Sequence, residues 1–391
     1  MLLNLFNKQL KSNARSLHLM QNSRHYRGKS SPHTPTSHLT HKTRTTMQNT
    51  PDQDQARISA LRLWLSQIDI AQIDTDSMEI ASNDASFRRY FRVTGLINGE
   101  TRSLIVMDAP QPQEDVKPFI QIAALFAQLH LTVPQVLAQD TEQGFLLLTD
   151  LGRTMYSHVL NNDTAHRLYM DAIDSLVLMQ SQSQPDVLPE YNRDFLLREL
   201  MIFPEWYIEK HLGHTLTAEQ NASLHKVFDA LLANIMAQPQ VYVHRDFHSR
   251  NLMVMDKGNP GILDFQGALY GPLTYDLVSL LRDAYVQWDE EMVLDWAIRY
   301  WEKAKKAGLP VAPDVDSFYR DFEFMGMQRH LIILGFFARL AHRDGKPHYL
   351  DDLPTVLEYV RKTANRYREL VPLLRLLESL ENNAPQFGYT F

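Results

Sequence analysis

One short stretch of this 391-residue chain gathers side chains whose types and spacing can do chemistry. His244-Arg245-Asp246-Phe247-His248-Ser249-Arg250-Asn251 sets an acid and, five residues on, an amide. Asp264-Phe265 adds a second acid shortly after. An acid, an amide and a further acid form the set that phosphoryl transfer from ATP requires. Asp246 can accept the proton of an attacking hydroxyl. Asn251 offers a neutral oxygen and Asp264 a carboxylate to magnesium, which binds through few carboxylates plus phosphate oxygens.

Local elements must bring these three together. Tyr242 and Val243 suit a strand, and the chain after His244 suits a loop. Residues 252–255 read as a strand, 256–261 as a turn by composition, and Ile262-Leu263 as the returning strand. Asp264 then arrives beside Asn251. A rival reading takes His244 and His248 as metal ligands of a hydrolase. Such a site needs both histidines on one helical face, and the β-branched approach through Val241 and Val243 argues against a helix. His244 and Arg245 are read as braces of the loop.

The wider chain is read from its periodicity. Residues 58–68 carry a helical stripe; 78–81, 89–94 and 103–107 read as strands, with Asn98-Gly99 as a hairpin turn. Residues 119–131 read as an amphipathic helix, and 134–138 with 145–148 as another hairpin. This predicts an α+β lobe over 51–150 that binds a nucleotide. Beyond it, stripes over 167–180, 195–211, 218–236, 275–288, 291–307, 317–341 and 354–377 predict a larger, mainly helical lobe over 151–391 for catalysis and substrate. Asp150-Leu151-Gly152 is the expected hinge, with the nucleotide in a cleft between lobes.

Composition narrows the class. Hydrophobic residues at 44% suffice for a sizeable core. With no Cys there is no disulfide, no thiolate zinc site and no thiol nucleophile. No apolar run approaches the roughly 20 residues of a membrane span. Residues 1–50 hold eight Lys and Arg and no acid, so the rest carries 31 basic against 46 acidic side chains. Such an acidic body is a poor nucleic-acid binder. The basic extension reads as disordered, and Met47 is the expected true start. A cytoplasmic protein is expected, with no membrane, nucleic-acid or obligate protein partner.

The catalytic string matches H-R-D-L-x-x-x-N of protein kinases except at Phe247, and Asp264-Phe265-Gln266 matches D-F-G except at Gln266. Added to it are residues 82–92, Val106-Met107-Asp108-Ala109-Pro110, residues 271–283, Gln328-Arg329-His330-Leu331, residues 337–340 and residues 343–347. From about residue 58 onward the chain resembles the aminoglycoside phosphotransferase and choline kinase group of small-molecule kinases. Within it the nearest likeness is to the bacterial anomeric amino-sugar kinases of cell-wall recycling. The resemblance implies a bilobal protein-kinase-like fold, ATP and Mg2+ as cofactors, Asp246 as base, Asn251 and Asp264 as magnesium ligands, and Asp276 as a support of the loop beside His244 and Arg245. It implies that Ser86, Phe87, Arg88 and Arg89 cover the phosphates and that Asp150 lies in the segment meeting adenine.

One departure stands out. The kinase strand lysine corresponds to Met107, and no Lys lies on that strand. Arg88 and Arg89 are ranked first to supply the missing charge, ahead of Lys117. Glu199, Glu205, Trp206, Arg282, Gln328 and Arg329 are candidates for sugar contacts. The expected reaction is phosphorylation of the anomeric hydroxyl of N-acetylmuramate or N-acetylglucosamine. The alternatives are an aminoglycoside or choline-like O-phosphotransferase, favoured by the acidic body, and a kinase-like binding module without catalysis.

Overall fold

A computed structural model describes residues 51–82 and 87–382. The basic extension, the candidate start Met47 and residues 83–86, Ser86 among them, lie outside the described residues. The described residues divide into two compact units, one within residues 1–116 with 136–150, the other within 117–135 with 151–391.

The first unit opens with helix α1 (Pro51–Ser66), followed by strands β1 (Gln72–Ser82), β2 (Arg89–Ile97) and β3 (Glu100–Asp108). Strands β4 (Val136–Asp140) and β5 (Phe145–Thr149) complete an antiparallel sheet in the order β1-β2-β3-β5-β4. The β2–β3 register pairs Ile97 with Glu100 and Phe91 with Val106. Asn98 (φ 51°) and Gly99 (φ 81°) turn that hairpin, as two left-handed residues must in a tight turn matched to strand twist. One sheet face is apolar at Phe91, Val93, Leu104, Val106, Phe145 and Leu147, and α1 covers it with Leu61 and Leu65. Charge also ties this unit together. Asp108, fully buried, accepts from Arg89 and Arg57, and Asp150 accepts from Arg92 and Ser103.

The second unit begins with α2 (Lys117–Gln128), whose Phe119 and Phe126 rings meet Phe265 at 4.9 and 5.8 Å. After α3 (Tyr156–Val159), α4 (Ala165–Ser181) and α5 (Arg193–Leu200) comes a π-helix, Phe203–His211. Residues 195–211, one helical stripe in the sequence, therefore divide in two. Pro204 lacks an N–H at the start of the second piece, and wider bonds such as Leu212 N to Tyr207 O follow. Helix α6 (Ala218–Ala237) starts on a capping box of Thr217 and Gln220.

The strands that carry the candidate site residues come next. β6 (Gln240–Val243) pairs with β9 (Leu269–Pro272), and β7 (Leu252–Met253) with β8 (Gly261–Ile262). Then follow α7 (Tyr275–Leu281), α8 (Glu290–Lys306), the long α9 (Val315–His342), a 3-10 turn (Pro347–Asp352), α10 (Leu353–Arg366) and α11 (Val371–Asn382). The stripe over 275–288 stops at Leu281, and that over 354–377 breaks between Arg366 and Val371. Gly335 lets α9 lie on the π-helix, since a Cβ there would sit 2.5–2.8 Å from the backbone of Ile202 and Phe203.

Candidate active site

The second unit assembles Asp246, Asn251 and Asp264 on neighbouring chain segments. β6 delivers His244, and the chain then turns through Arg245 at φ 79°. Asn251 leads into β7, while the return strand β8 delivers Asp264. Leu263 N donates to Asn251 O at 2.9 Å, which sets Asp264 one residue beyond a bonded pair. Asp264 has φ 60°, a left-handed conformation that Asp tolerates better than most residues and that clusters at functional sites.

The base candidate is held from behind. Asp276 lies in the first turn of α7 and accepts from His244 N at 2.6 Å and Arg245 N at 2.9 Å. Burial pushes its carboxyl up to about 7, against the pull of those two donors. Arg245 is fully buried, bonded to Glu199, with Tyr191 and Phe195 beneath its guanidinium at 5.0 and 4.9 Å. Arg329, from α9, donates to Arg245 O at 3.1 Å and to Tyr275 OH at 3.1 Å. His244 is fully buried against Phe126 and Phe247, and burial pushes it down to about 3. A neutral imidazole in that slot, on irregular chain, offers no helical pair of metal ligands with His248.

The metal candidates fit magnesium by donor type. Asn251 Nδ2 donates to Asp246 O at 2.9 Å, so the amide oxygen is the group left to bind. One Asp264 oxygen accepts from Gln266 Nε2 at 2.5 Å. Gln266 thus replaces the usual glycine with a side chain that orients the carboxylate. One amide oxygen and one carboxylate match the sparse protein ligation of magnesium, whose other sites go to phosphate and water.

The remaining candidates divide by unit. Phe87, Arg88, Arg89 and Asp150 belong to the first. Arg89 is bound to Asp108 through Nε and Nη2 and lies 3.2 Å from Asp54, while Arg88 is buried 3.8 Å from Glu114. Several sugar candidates are engaged inside the second. Glu199 joins Arg245 and Tyr191, and Arg282 joins Glu290, Glu323, Tyr319 and Thr363. Arg329 clips the catalytic loop and Gln328 is fully buried. Only Glu205, exposed, and Trp206, half-buried, both on the π-helix, keep surface for a ligand among these six. Sequence reasoning passed over Ser249 and Asp283, which are hydrogen-bonded to each other at 2.5 Å although each stands inside a quoted string.

The sequence model of the phosphotransferase enzyme family, APH, matches residues 77–310, most of the chain. This chain belongs to the APH phosphotransferase family. Among APH relatives, the N-acetylmuramate/N-acetylglucosamine kinase of Neisseria meningitidis is 48% identical over 336 residues, 85% of this chain and 98% of that one. The enzyme of the same name from Pseudomonas aeruginosa is 45% identical over 339 residues, 85% and 99%. The APH fold is also seen in the GDP complex of an aminoglycoside 2′-phosphotransferase mutant, which is 16% identical. That match covers 81% of this chain and 99% of the other, with a TM-score of 0.53. As an APH protein the chain is a small-molecule kinase of α+β architecture. No helix among the described residues is long and apolar enough to cross a membrane.

Proposed function

We propose that the chain transfers the γ-phosphoryl group of ATP to the anomeric hydroxyl of N-acetylmuramate or N-acetylglucosamine. The geometry that carries the reaction is Asp246, Asn251 and Asp264 on one braced loop and hairpin. The acceptor follows from relatives of that name at 48% and 45% identity over nearly their whole lengths. Asp246 takes the hydroxyl proton as the sugar oxygen bonds phosphorus and the bond to the ADP oxygen breaks. The ring oxygen makes an anomeric hydroxyl more acidic than an ordinary alcohol, so one carboxylate base suffices. Asn251 and Asp264 would hold Mg2+, which when bound neutralises charge on the phosphates.

Arg88 is the better of the two arginines for the phosphates. Arg89 is committed to Asp108, so its removal unsettles the sheet, whereas Arg88 stands opposite Glu114 much as a kinase lysine stands opposite its helix glutamate. Arg88→Ala is expected to raise the Michaelis constant for ATP, and Arg89→Ala to lower the melting temperature first. Asp150, held by Arg92 and Ser103, supports the adenine segment, whose backbone does the contacting.

A panel of N-acetylmuramate, N-acetylglucosamine and kanamycin with ATP, read by phosphorus NMR, tests the reading. A 1-phosphate on an N-acetyl sugar is expected. Phosphorylation of the aminoglycoside alone would overturn it. In Asp246→Asn, turnover should fall by roughly 10²–10⁴-fold, the usual contribution of a positioned base. Retained turnover would remove Asp246 from the role.

A further inference from the structure

We propose that Ser249 and Asp283 position Asn251, so that the metal side of the site has a brace of its own, separate from the one that sets Asp246. The proposal rests on the kinase reading above.

Helix α7 has an acid near each end. Asp276, in its first turn, holds the backbone N–H groups of His244 and Arg245, immediately before Asp246. Asp283, just past its end, holds the loop at a second point. One of its oxygens accepts from both Ser249 N at 3.1 Å and Ser249 Oγ at 2.5 Å. Its other oxygen accepts from Tyr285 N at 3.0 Å. Asp283 is 3% exposed and Ser249 is fully buried, so these charge-assisted bonds are little weakened by water. The two acids are seven residues apart, roughly two helical turns. A single short helix therefore grips the catalytic loop on either side of Phe247.

The surroundings of Ser249 are equally fixed. Its carbonyl accepts from Ser157 N at 3.0 Å. The next residue, Arg250, lies with its guanidinium 3.5 Å from the Tyr285 ring centre, and Asp283 sets the backbone of that tyrosine. The chain thus enters Asn251 from a point held on three sides. Asn251 itself donates from N to His248 O at 2.9 Å and from Nδ2 to Asp246 O at 2.9 Å. The direction of its amide oxygen depends on where Ser249 places the backbone. The direction of Asp246 depends on Asp276. Neither Ser249 nor Asp283 is placed to touch a substrate; both are positioning residues.

The two braces should fail differently. ADP is titrated calorimetrically into the full chain, once in Mg2+ and once in EDTA, and the ratio of the two affinities is compared. Ser249→Ala is expected to reduce the gain from magnesium by about 10-fold or more, as loss of a ligand's supporting partner does. Ser249→Thr, which keeps the hydroxyl, should restore it. Asp276→Asn should lower kcat while leaving the ratio near that of the parent. If Ser249→Ala does not fold, Asp283→Asn, which retains one acceptor oxygen, replaces it in the comparison. An unchanged ratio in the Ser249→Ala protein, or in Asp283→Asn in its place, or an equal fall in Asp276→Asn, would overturn the proposal. A parent whose ADP affinity ignores magnesium would instead sink the kinase reading.

Discussion

Arg245 is a buried charge whose balance lies wholly within the second unit. Glu199 pairs with it, and Tyr191 donates its hydroxyl to the same carboxylate. Burial pushes the Glu199 carboxyl up, against the pull of Arg245. Breaking a buried pair leaves an uncompensated charge, which costs about 3–5 kcal/mol. Glu199→Gln should therefore lower unfolding free energy by that order in urea titrations, with the Michaelis constant for the sugar little changed in the protein that remains folded. A large change in that constant at unaltered stability would return Glu199 to the sugar. From sequence the residue was a candidate sugar contact, because a carboxylate on a helix stripe does not announce its partner. Asp246, Asn251 and Asp264 were legible because spacing along the chain is itself their geometry.

At the scale of elements, the contact between α9 and the π-helix depends on the absence of a side chain. Gly335→Ala would drive a methyl group to within 2.5–2.8 Å of the backbone of Ile202 and Phe203. Backbone cannot rotate away as a side chain can, so a loss of about 1–3 kcal/mol is expected, as for other overpacked sites. Thermal denaturation checks this, and an unchanged melting point would show that the two helices can separate freely. Thr217→Ala, which removes the capping box of α6, should cost about 1 kcal/mol. Most helices here were readable from apolar stripes. At Pro204 a stripe misled because the apolar pattern runs on through a residue that lacks an N–H for the α-helical ladder, whereas the stripe over 275–288 stops at Leu281 without a proline.

Across the whole molecule, several buried histidines make stability depend on pH. Burial holds His330 neutral, pushed down to about 3, with its ring stacked on Tyr359 at 4.8 Å and Nε2 3.2 Å from Arg282 O. His244 and His248 are likewise pushed down by burial, to about 3 and about 4. A group whose pKa is lower in the folded chain contributes stability above its unfolded value, near 6.5, and loses it as pH falls toward the folded value. Asp276 works in the opposite sense. Its carboxyl, raised to about 7, favours the folded state at low pH and loses that contribution as pH rises. The net curve is flattened, so the clean measurement is a difference. Relative to His330→Phe, the parent should lose up to about 1.4 kcal/mol per pH unit between roughly pH 6 and 4 in urea unfolding. Parallel curves for the two proteins would show that His330 takes up its proton over the same pH range folded and unfolded.

The sequence by itself picked out the atoms proposed to do the chemistry. An Asp, an Asn five residues on and an Asp after a hairpin lie close along the chain, so local structure alone brings them together. The α+β order of elements was also legible, because burial on one face imposes a period that sequence displays. Only the tertiary structure decided what holds those atoms still. Asp276 and Asp283 reach the catalytic loop from α7, Arg329 from α9 and Glu199 from α5, over separations of 31 to 84 residues. Such pairings leave no periodic trace. They depend on where packing places helix ends, and a carboxylate or guanidinium can satisfy itself with many partners until that packing has chosen one.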